Sequence, residues 1–208
     1  MPEKVLVIGS HFDDIEIGCG GTLLHYRDAG ARIVMVILKP NEWRSGARIM
    51  REKEQVAAAE MLTAKAIRLH EDTLIEDAIA LCDNEMPSVL LFPYEQDTHQ
   101  DHNVASQVGF AVSRHTQSTV LRYLTPTSHS YYPNFISVID FEAKKKLVSL
   151  FSSQMERRPK FMEIMEAQNK FFGSLIPGDG HYAEGFCLHR MVIGLDQNKP
   201  KTEGGINQ

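Results

Sequence analysis

Four short apolar runs, each followed by a segment patterned for a helix, fix what the first half of this 208-residue chain can become. Val5-Leu6-Val7-Ile8, Ala31–Leu38, Ala66–Leu69 and Ser88–Phe92 have the length and apolar continuity of buried strands. Between them, Thr22–Ala29 is a helix stopped by Gly30, Ala47–Lys65 is rich in good helix formers, and Thr73–Asp83 has Asp72 as its cap. A further helix, Asn103–Arg114, follows the fourth run. Strand and helix in alternation argue for a parallel sheet covered on both faces. The expected fold class is α/β: a single-domain, Rossmann-like, three-layer αβα fold with a mostly parallel sheet, in strand order 3-2-1-4-5 over the first half.

The second half is less regular. Thr119–Leu124 and Asn134–Ile139 read as strands, and Phe141–Gln154 and Met155–Phe172 as amphipathic helices broken near Arg158-Pro159. A turn-rich stretch, Gly173–Gly180, precedes a last strand within Tyr182–Leu195. Residues 1–195 are expected to form one domain, and 196–208 a loose polar tail.

Composition removes several classes of function. The chain is 43% apolar and 24% charged, as soluble globular proteins are. A net charge of -5 with no basic block gives no support to nucleic-acid binding. No apolar run approaches the ~20 residues of a membrane span. Cys19, Cys82 and Cys187 are odd in number and scattered, so they make neither a disulfide framework nor a metal knuckle. A reducing cytoplasm is the expected compartment.

The chemistry is concentrated in two loops. Strand one runs into Ser10-His11-Phe12-Asp13-Asp14-Ile15-Glu16-Ile17-Gly18-Cys19-Gly20-Gly21-Thr22, and strand four is followed by His99-Gln100-Asp101-His102. In the expected order, strands one and four are neighbours at the switch point, where α/β sheets bind ligands. His11, Asp14 and His102 together form a two-imidazole, one-carboxylate set that suits a catalytic zinc-like cation with room for water. Asp13, whose side chain points away from its neighbour's, is placed as general base. His99 is placed to steady an oxyanion or protonate a leaving nitrogen, with Asp101 hydrogen-bonded to its ring and raising its pKa. Arg51 on the second helix is within reach of a substrate oxygen or a site carboxylate, and Trp43, Arg44 and Arg48 lie near the same rim.

Blander readings stand beside these. Acidic residues at a helix N-terminus suit its dipole without any catalysis, and His99-x-Asp101-His102 is also a capping pattern. Arg51 and Glu54 have the spacing of a solvent-facing helical ion pair. Gly18-Cys19-Gly20-Gly21 suggests a dinucleotide loop, but Leu23 stands where G-x-G-x-x-G needs its third glycine, and the adjacent acids repel a pyrophosphate.

The opening motif together with His99-Gln100-Asp101-His102 resembles the LmbE-like, or PIG-L, zinc-dependent N-deacetylases. Arg51-x-x-Glu54 before Ala57-Ala58-Ala59, and Tyr182-Ala183-Glu184-Gly185-Phe186, are similar to that family's pattern too, so the resemblance spans Val5 to Phe186. It implies His11, Asp14 and His102 as zinc ligands; by their chemistry, Fe2+ or Co2+ can occupy such a ligand set too. It also implies Asp13 as base, His99 backed by Asp101, and a substrate contact from Arg51; Trp43 on the rim and Tyr182 and Glu184 in the later run are the further expected substrate contacts. Phe12 departs from the family's usual His-Pro-Asp-Asp, which leaves the ligands in place and changes the loop's shape.

The expected activity is therefore metal-dependent removal of an N-acetyl group from an N-acetylglucosamine-type sugar or its conjugate. The expected partners are that small acetylated substrate and, as relatives commonly form them, other copies of the chain. Alternatives are an amidase on a larger sugar or thiol conjugate, a sugar- or metal-binding member without catalysis, and a nucleotide-binding oxidoreductase.

Overall fold

The strands alternate their side chains between two apolar layers, and this decides where every helix lies. Residues 3–39, 45–69 and 73–193 are described by a computed structural model. The elements run β1 (Lys4–Gly9), α1 (Asp14–Asp28), β2 (Arg32–Ile37), α2 (Ser45–Met61), β3 (Lys65–Arg68), α3 (Leu74–Glu85), β4 (Val89–Pro93) and α4 (Gln100–Ser113). They continue with β5 (Thr119–Tyr123), β6 (Phe135–Val138), α5 (Phe141–Ser149), α6 (Ser152–Met155), α7 (Phe161–Gly173) and β7 (Ala183–Arg190). Trp43, Asp72 and the tail 196–208 lie outside the described residues.

One sheet carries all seven strands in the order β3-β2-β1-β4-β5-β7-β6. The first five are parallel; β7 runs antiparallel to both β5 and β6. The expected 3-2-1-4-5 order is the one found. Val5, Val7, Ile33, Met35, Val89 and Leu91 point into one core with α1, α2 and α5. Leu6, Ile8, Val34, Val36, Leu90 and Phe92 point into the other with α3 and α4, as the period of two along a strand requires. A third cluster, built on Ile139, Phe141, Val148, Phe161 and Met165, ties α5 to α7.

The first helix differs from expectation. It begins at Asp14, only five residues after β1 ends, and not at Thr22. Cys19 breaks its geometry midway, with φ -145° and ψ 17°. A Cβ on Gly18 would collide with the ring of Tyr123, and one on Gly21 would sit 2.8 Å from Ile139. The small residues therefore let α1 press against β5 and the segment entering α5. The kink frees backbone donors, and a carboxylate from β7 takes them. Glu184 accepts from the amides of Gly21 (2.9 Å) and Thr22 (2.8 Å) and from the Thr22 hydroxyl (2.6 Å). Lys144 of α5 completes the arrangement, its Nζ 2.7 Å from Glu184 Oε1, both side chains being 1% exposed. The glycine pair is thus packed against protein, which removes the dinucleotide reading.

Candidate metal centre

Because β1 and β4 are adjacent and parallel, with Val5 opposite Val89 and Val7 opposite Leu91, the loops at their carboxyl ends meet. Ser10 joins them directly, its hydroxyl donating to the Asp101 carbonyl at 2.7 Å. His11 closes the turn after β1, its amide donating to Asp14 Oδ2 at 2.8 Å. Asp13 caps α1 in the left-handed region, φ 92°, a conformation costly for a residue with a Cβ. That strained step aims Asp13 and Asp14 to different sides. Phe12 between them is buried in the core.

His11 and His102 converge on Asp14. Oδ2 of Asp14 is 3.3 Å from His11 Nδ1 and 3.3 Å from His102 Nε2. Donor atoms of the three residues all lie within 4.8 Å of one another, which suits a single cation bonded at about 2 Å to each. A second trio, His11, His99 and Asp101, meets the same distance. The first trio is the more enclosed, and its two imidazoles and one carboxylate are the donor set of an open catalytic site. Burial alone would raise the Asp14 carboxyl, but hydrogen bonds and charge from His102 and His11 hold it far below the usual carboxylate range. In return, and against their own desolvation, His11 is raised and His102 is pushed up to about 9 by Asp14, with Asp101 and Asp97 assisting respectively.

Asp97 is a site residue that sequence reading missed. Its Oδ2 lies 3.1 Å from His102 Nδ1, which orients the ring and leaves Nε2 toward Asp14. The Asp97 carboxylate is itself held by the hydroxyls of Thr125, Thr127 (2.6 Å) and Ser128 (3.1 Å) and by the His99 amide (2.7 Å). Desolvation opposes its charge, but these donors keep it below its ordinary value. The signal in sequence was only an acid five residues before His102, in a loop whose partners come from beyond β5.

Asp13 is buried beside Arg51, whose Nη2 donates to Asp13 Oδ1 at 3.1 Å and also to the Phe12 carbonyl. Desolvation first, then the Asp14 charge, push the Asp13 carboxyl up to about 8, with Arg51 pulling the other way. Arg51 thus contacts a site carboxylate, the second of the two roles its position allowed. Glu54 is no solvent-facing partner of Arg51. It is buried and accepts from Ser152, the Ser153 amide (2.8 Å) and the Ser153 hydroxyl (2.7 Å), which fixes α6 to α2.

Two expectations are corrected. The Asp101 carboxylate does not hold His99; it lies 3.0 Å from His11 Nε2. His99 Nδ1 instead accepts the Asp101 backbone amide at 3.2 Å, so His99 does cap α4. Nor is its pKa raised: desolvation, then the nearby His102 and His11, lower it. Its ring stacks on His102 with centroids 4.7 Å apart.

These groups line one cavity of about 650 Å³, with Thr127, Gln154, Arg157 and Arg158 on its rim. Tyr182 and Glu184 are set elsewhere. Tyr182 stacks on Phe141 and bonds Glu166 at 3.0 Å, and Glu184 is spent on Lys144 and the kink of α1, so neither lines the cavity. Among the described residues, no helix is long and apolar enough to cross a membrane.

Comparison with known proteins adds to the geometry. Residues 6–113 match the PIG-L family model, described as GlcNAc-PI de-N-acetylase. An Escherichia coli K12 protein described as the uncharacterized deacetylase YaiS is 29% identical over 166 residues, covering 70% of this chain and 88% of YaiS. The N,N'-diacetylchitobiose deacetylase of Pyrococcus horikoshii superposes with a TM-score of 0.72 at 23% identity, over 89% of this chain and 83% of its own. The 4-carboxy-2-hydroxymuconate hydratase GalB of Pseudomonas putida KT2440 superposes at 0.75 with 16% identity, over 93% and 99%. The fold therefore serves more than one reaction, and the reaction has to be argued from the site. The family match spans more than half of the chain and contains both His/Asp loops: this protein belongs to the PIG-L, or LmbE-like, family of de-N-acetylases, which are hydrolases.

Proposed function

We propose that this deacetylase removes the N-acetyl group of an amino sugar or its conjugate, of the N-acetylglucosamine type, using a divalent cation held by His11, Asp14 and His102. Zinc is typical of the family. The observation that carries the reading is the meeting of two imidazoles from different strand ends on one carboxylate oxygen, with a second carboxyl buried beside it.

A cation held there would supply Lewis acidity for the amide carbonyl and make a water molecule acidic enough to lose a proton near neutral pH. The chain's own groups do the rest. Arg51 holds Asp13 Oδ1, leaving Oδ2 to accept the proton of the attacking water. Burial and the Asp14 charge raise the Asp13 carboxyl in the cation-free chain; beside a bound cation it is drawn back to the ionised form that accepts this proton and then passes it to the departing amine. His99 uses Nδ1 as acceptor, so the neutral ring carries its proton on Nε2. That N–H is the donor for the oxyanion that develops on the carbonyl oxygen. Water adds to the carbonyl carbon, the C–N bond breaks, and acetate and the protonated amine leave.

The test is product analysis, of both the carboxylate and the amine released, for zinc-loaded protein offered a panel of N-acetylated amino sugars and N-acyl conjugates. Turnover that stops with chelator and returns with zinc is expected. Release from N-acyl conjugates alone, with none from any acetylated sugar, would replace the sugar reading with the amidase one.

A further inference from the structure

A cavity of about 450 Å³ lies between the loop that follows β4 and one face of α4. Glu95 and Asp97 belong to the loop, and Asn103, Ser106 and Phe110 share the helix face, spaced by three and four as neighbours on a helix are. The polar side chains divide into two kinds. The Asp97 carboxylate is already engaged, by His102, by the hydroxyls of Thr125, Thr127 and Ser128 and by the His99 amide. Three other oxygens are buried and, among the described residues, have no hydrogen-bond partner: Glu95 Oε2, Asn103 Oδ1 and the Ser106 hydroxyl. Ser106 is 1% exposed. A buried polar group without a partner costs free energy, and three facing one cavity point to a ligand they share.

The three agree in what they need. The Asn103 amide is oriented by its own bond, Nδ2 donating to the Asp97 carbonyl at 2.9 Å, so Oδ1 can only accept. Arg122 occupies Glu95 Oε1, which leaves Oε2 as the acceptor without a partner. A carboxylate oxygen, an amide oxygen and a hydroxyl suit a hard cation. No sulfur lines the cavity, and its one imidazole, His129, is exposed, which disfavours a zinc-like ion. Charge selects further. Asp97 faces His102 and Glu95 faces the Arg122 guanidinium, so little uncompensated negative charge meets an incoming ion. Arg122 repels two positive charges more than one.

We propose that Glu95, Asn103 and Ser106 hold a monovalent alkali cation, sodium or potassium, which steadies the loop that orients His102. The link is Asn103: Oδ1 meets the ion while Nδ2 holds the Asp97 carbonyl, and the Asp97 carboxylate lies 3.1 Å from His102 Nδ1. The ion takes no part in the reaction. Its effect on zinc rests on the ligand set proposed above; the alkali site itself does not.

The experiment melts zinc-loaded protein in potassium, sodium or tetramethylammonium chloride at one ionic strength, with a calcium arm, and measures zinc affinity in each by chelator competition. Crystals are soaked in thallium(I) acetate, a potassium mimic located by its anomalous scattering. Potassium or sodium at ~0.1 M is expected to raise Tm by about 3 °C over tetramethylammonium, as a site with a Kd of ~10 mM would. Zinc affinity should tighten about threefold. In Ser106→Ala, which removes only a hydroxyl without a partner, the gain in Tm should shrink below about 1 °C. Should that variant not fold, the thallium peak and the melting series of the unmodified protein decide. No thallium peak at the three oxygens overturns the site, as does a gain in Tm that Ser106→Ala leaves intact. A peak without any gain in Tm is an adventitious ion only and overturns it too. A gain with calcium and none with sodium or potassium assigns the cavity to a divalent ion and overturns the proposal. An alkali ion that binds there and leaves zinc affinity unchanged overturns its hold on His102. Failure of zinc to bind at all overturns the ligand set above and leaves the alkali site standing.

Discussion

Asp97 Oδ2 lies 3.1 Å from His102 Nδ1, on the side of the ring away from Asp14. A carboxylate there selects the tautomer that presents Nε2 to a cation, and such partners commonly matter nearly as much as the ligands. Asp97→Asn is expected to weaken zinc binding about 10- to 100-fold. Competition against a chromophoric chelator measures it, and an unchanged affinity removes Asp97 from the site.

Asp13 contacts Arg51 and not the trio's shared oxygen. Asp13→Asn should therefore keep its zinc while losing about a hundredfold or more in kcat, with little change in KM. Metal analysis and acetate release on the same sample decide this; loss of zinc would make Asp13 a ligand.

The Lys144–Glu184 pair is enclosed at 1% exposure on each side. Glu184→Gln leaves a buried ammonium without its counter-charge and should cost about 3–5 kcal/mol. Replacing Lys144 by Met as well should recover much of the loss. Urea unfolding of the single and double variants tests it. A change in KM at full stability would instead restore Glu184 as a substrate contact.

Without a cation, the site should make stability fall as pH rises. His102 titrates at about 9 in the folded chain against 6.5 ordinarily, so between those values the folded state holds a proton that the unfolded state has released. Its stabilisation is complete below 6.5 and gone above 9. Asp13, raised to about 8, and Glu16, raised to about 7, act in the same direction. Chelator-treated protein is expected to lose about 5 °C or more in Tm between pH 6.5 and 9. Excess zinc should flatten or reverse that slope, because binding displaces the protons. A flat profile without zinc would contradict the assigned charges.

The strand order and the meeting of His11 with His102 were legible because they follow from local pattern plus one topological rule. Alternating apolar runs set the layers, and adjacency of β1 with β4 did the rest. What could not be read was anything carried by contacts between distant segments. Asp97 gains its meaning from Thr125, Thr127 and Ser128, which no spacing links to it. Asp101 was assigned to His99, two residues before it, whereas the turn at Ser10 brings His11 to its carboxylate. Glu184 belongs to a run resembling the family's pattern, but its partners are amides freed by a kink at Cys19 that helix propensity does not foresee.

The bond from Glu184 to the Gly21 amide spans 163 positions of the chain. The helix that begins at Asp14 is thus finished by a strand synthesised long after it. A nascent chain that has already made both His/Asp loops still lacks the anion that seats this helix. Settling of this helix, and with it the orientation of Asp13 and Asp14 at its start, is then expected to wait for the strand that carries Glu184.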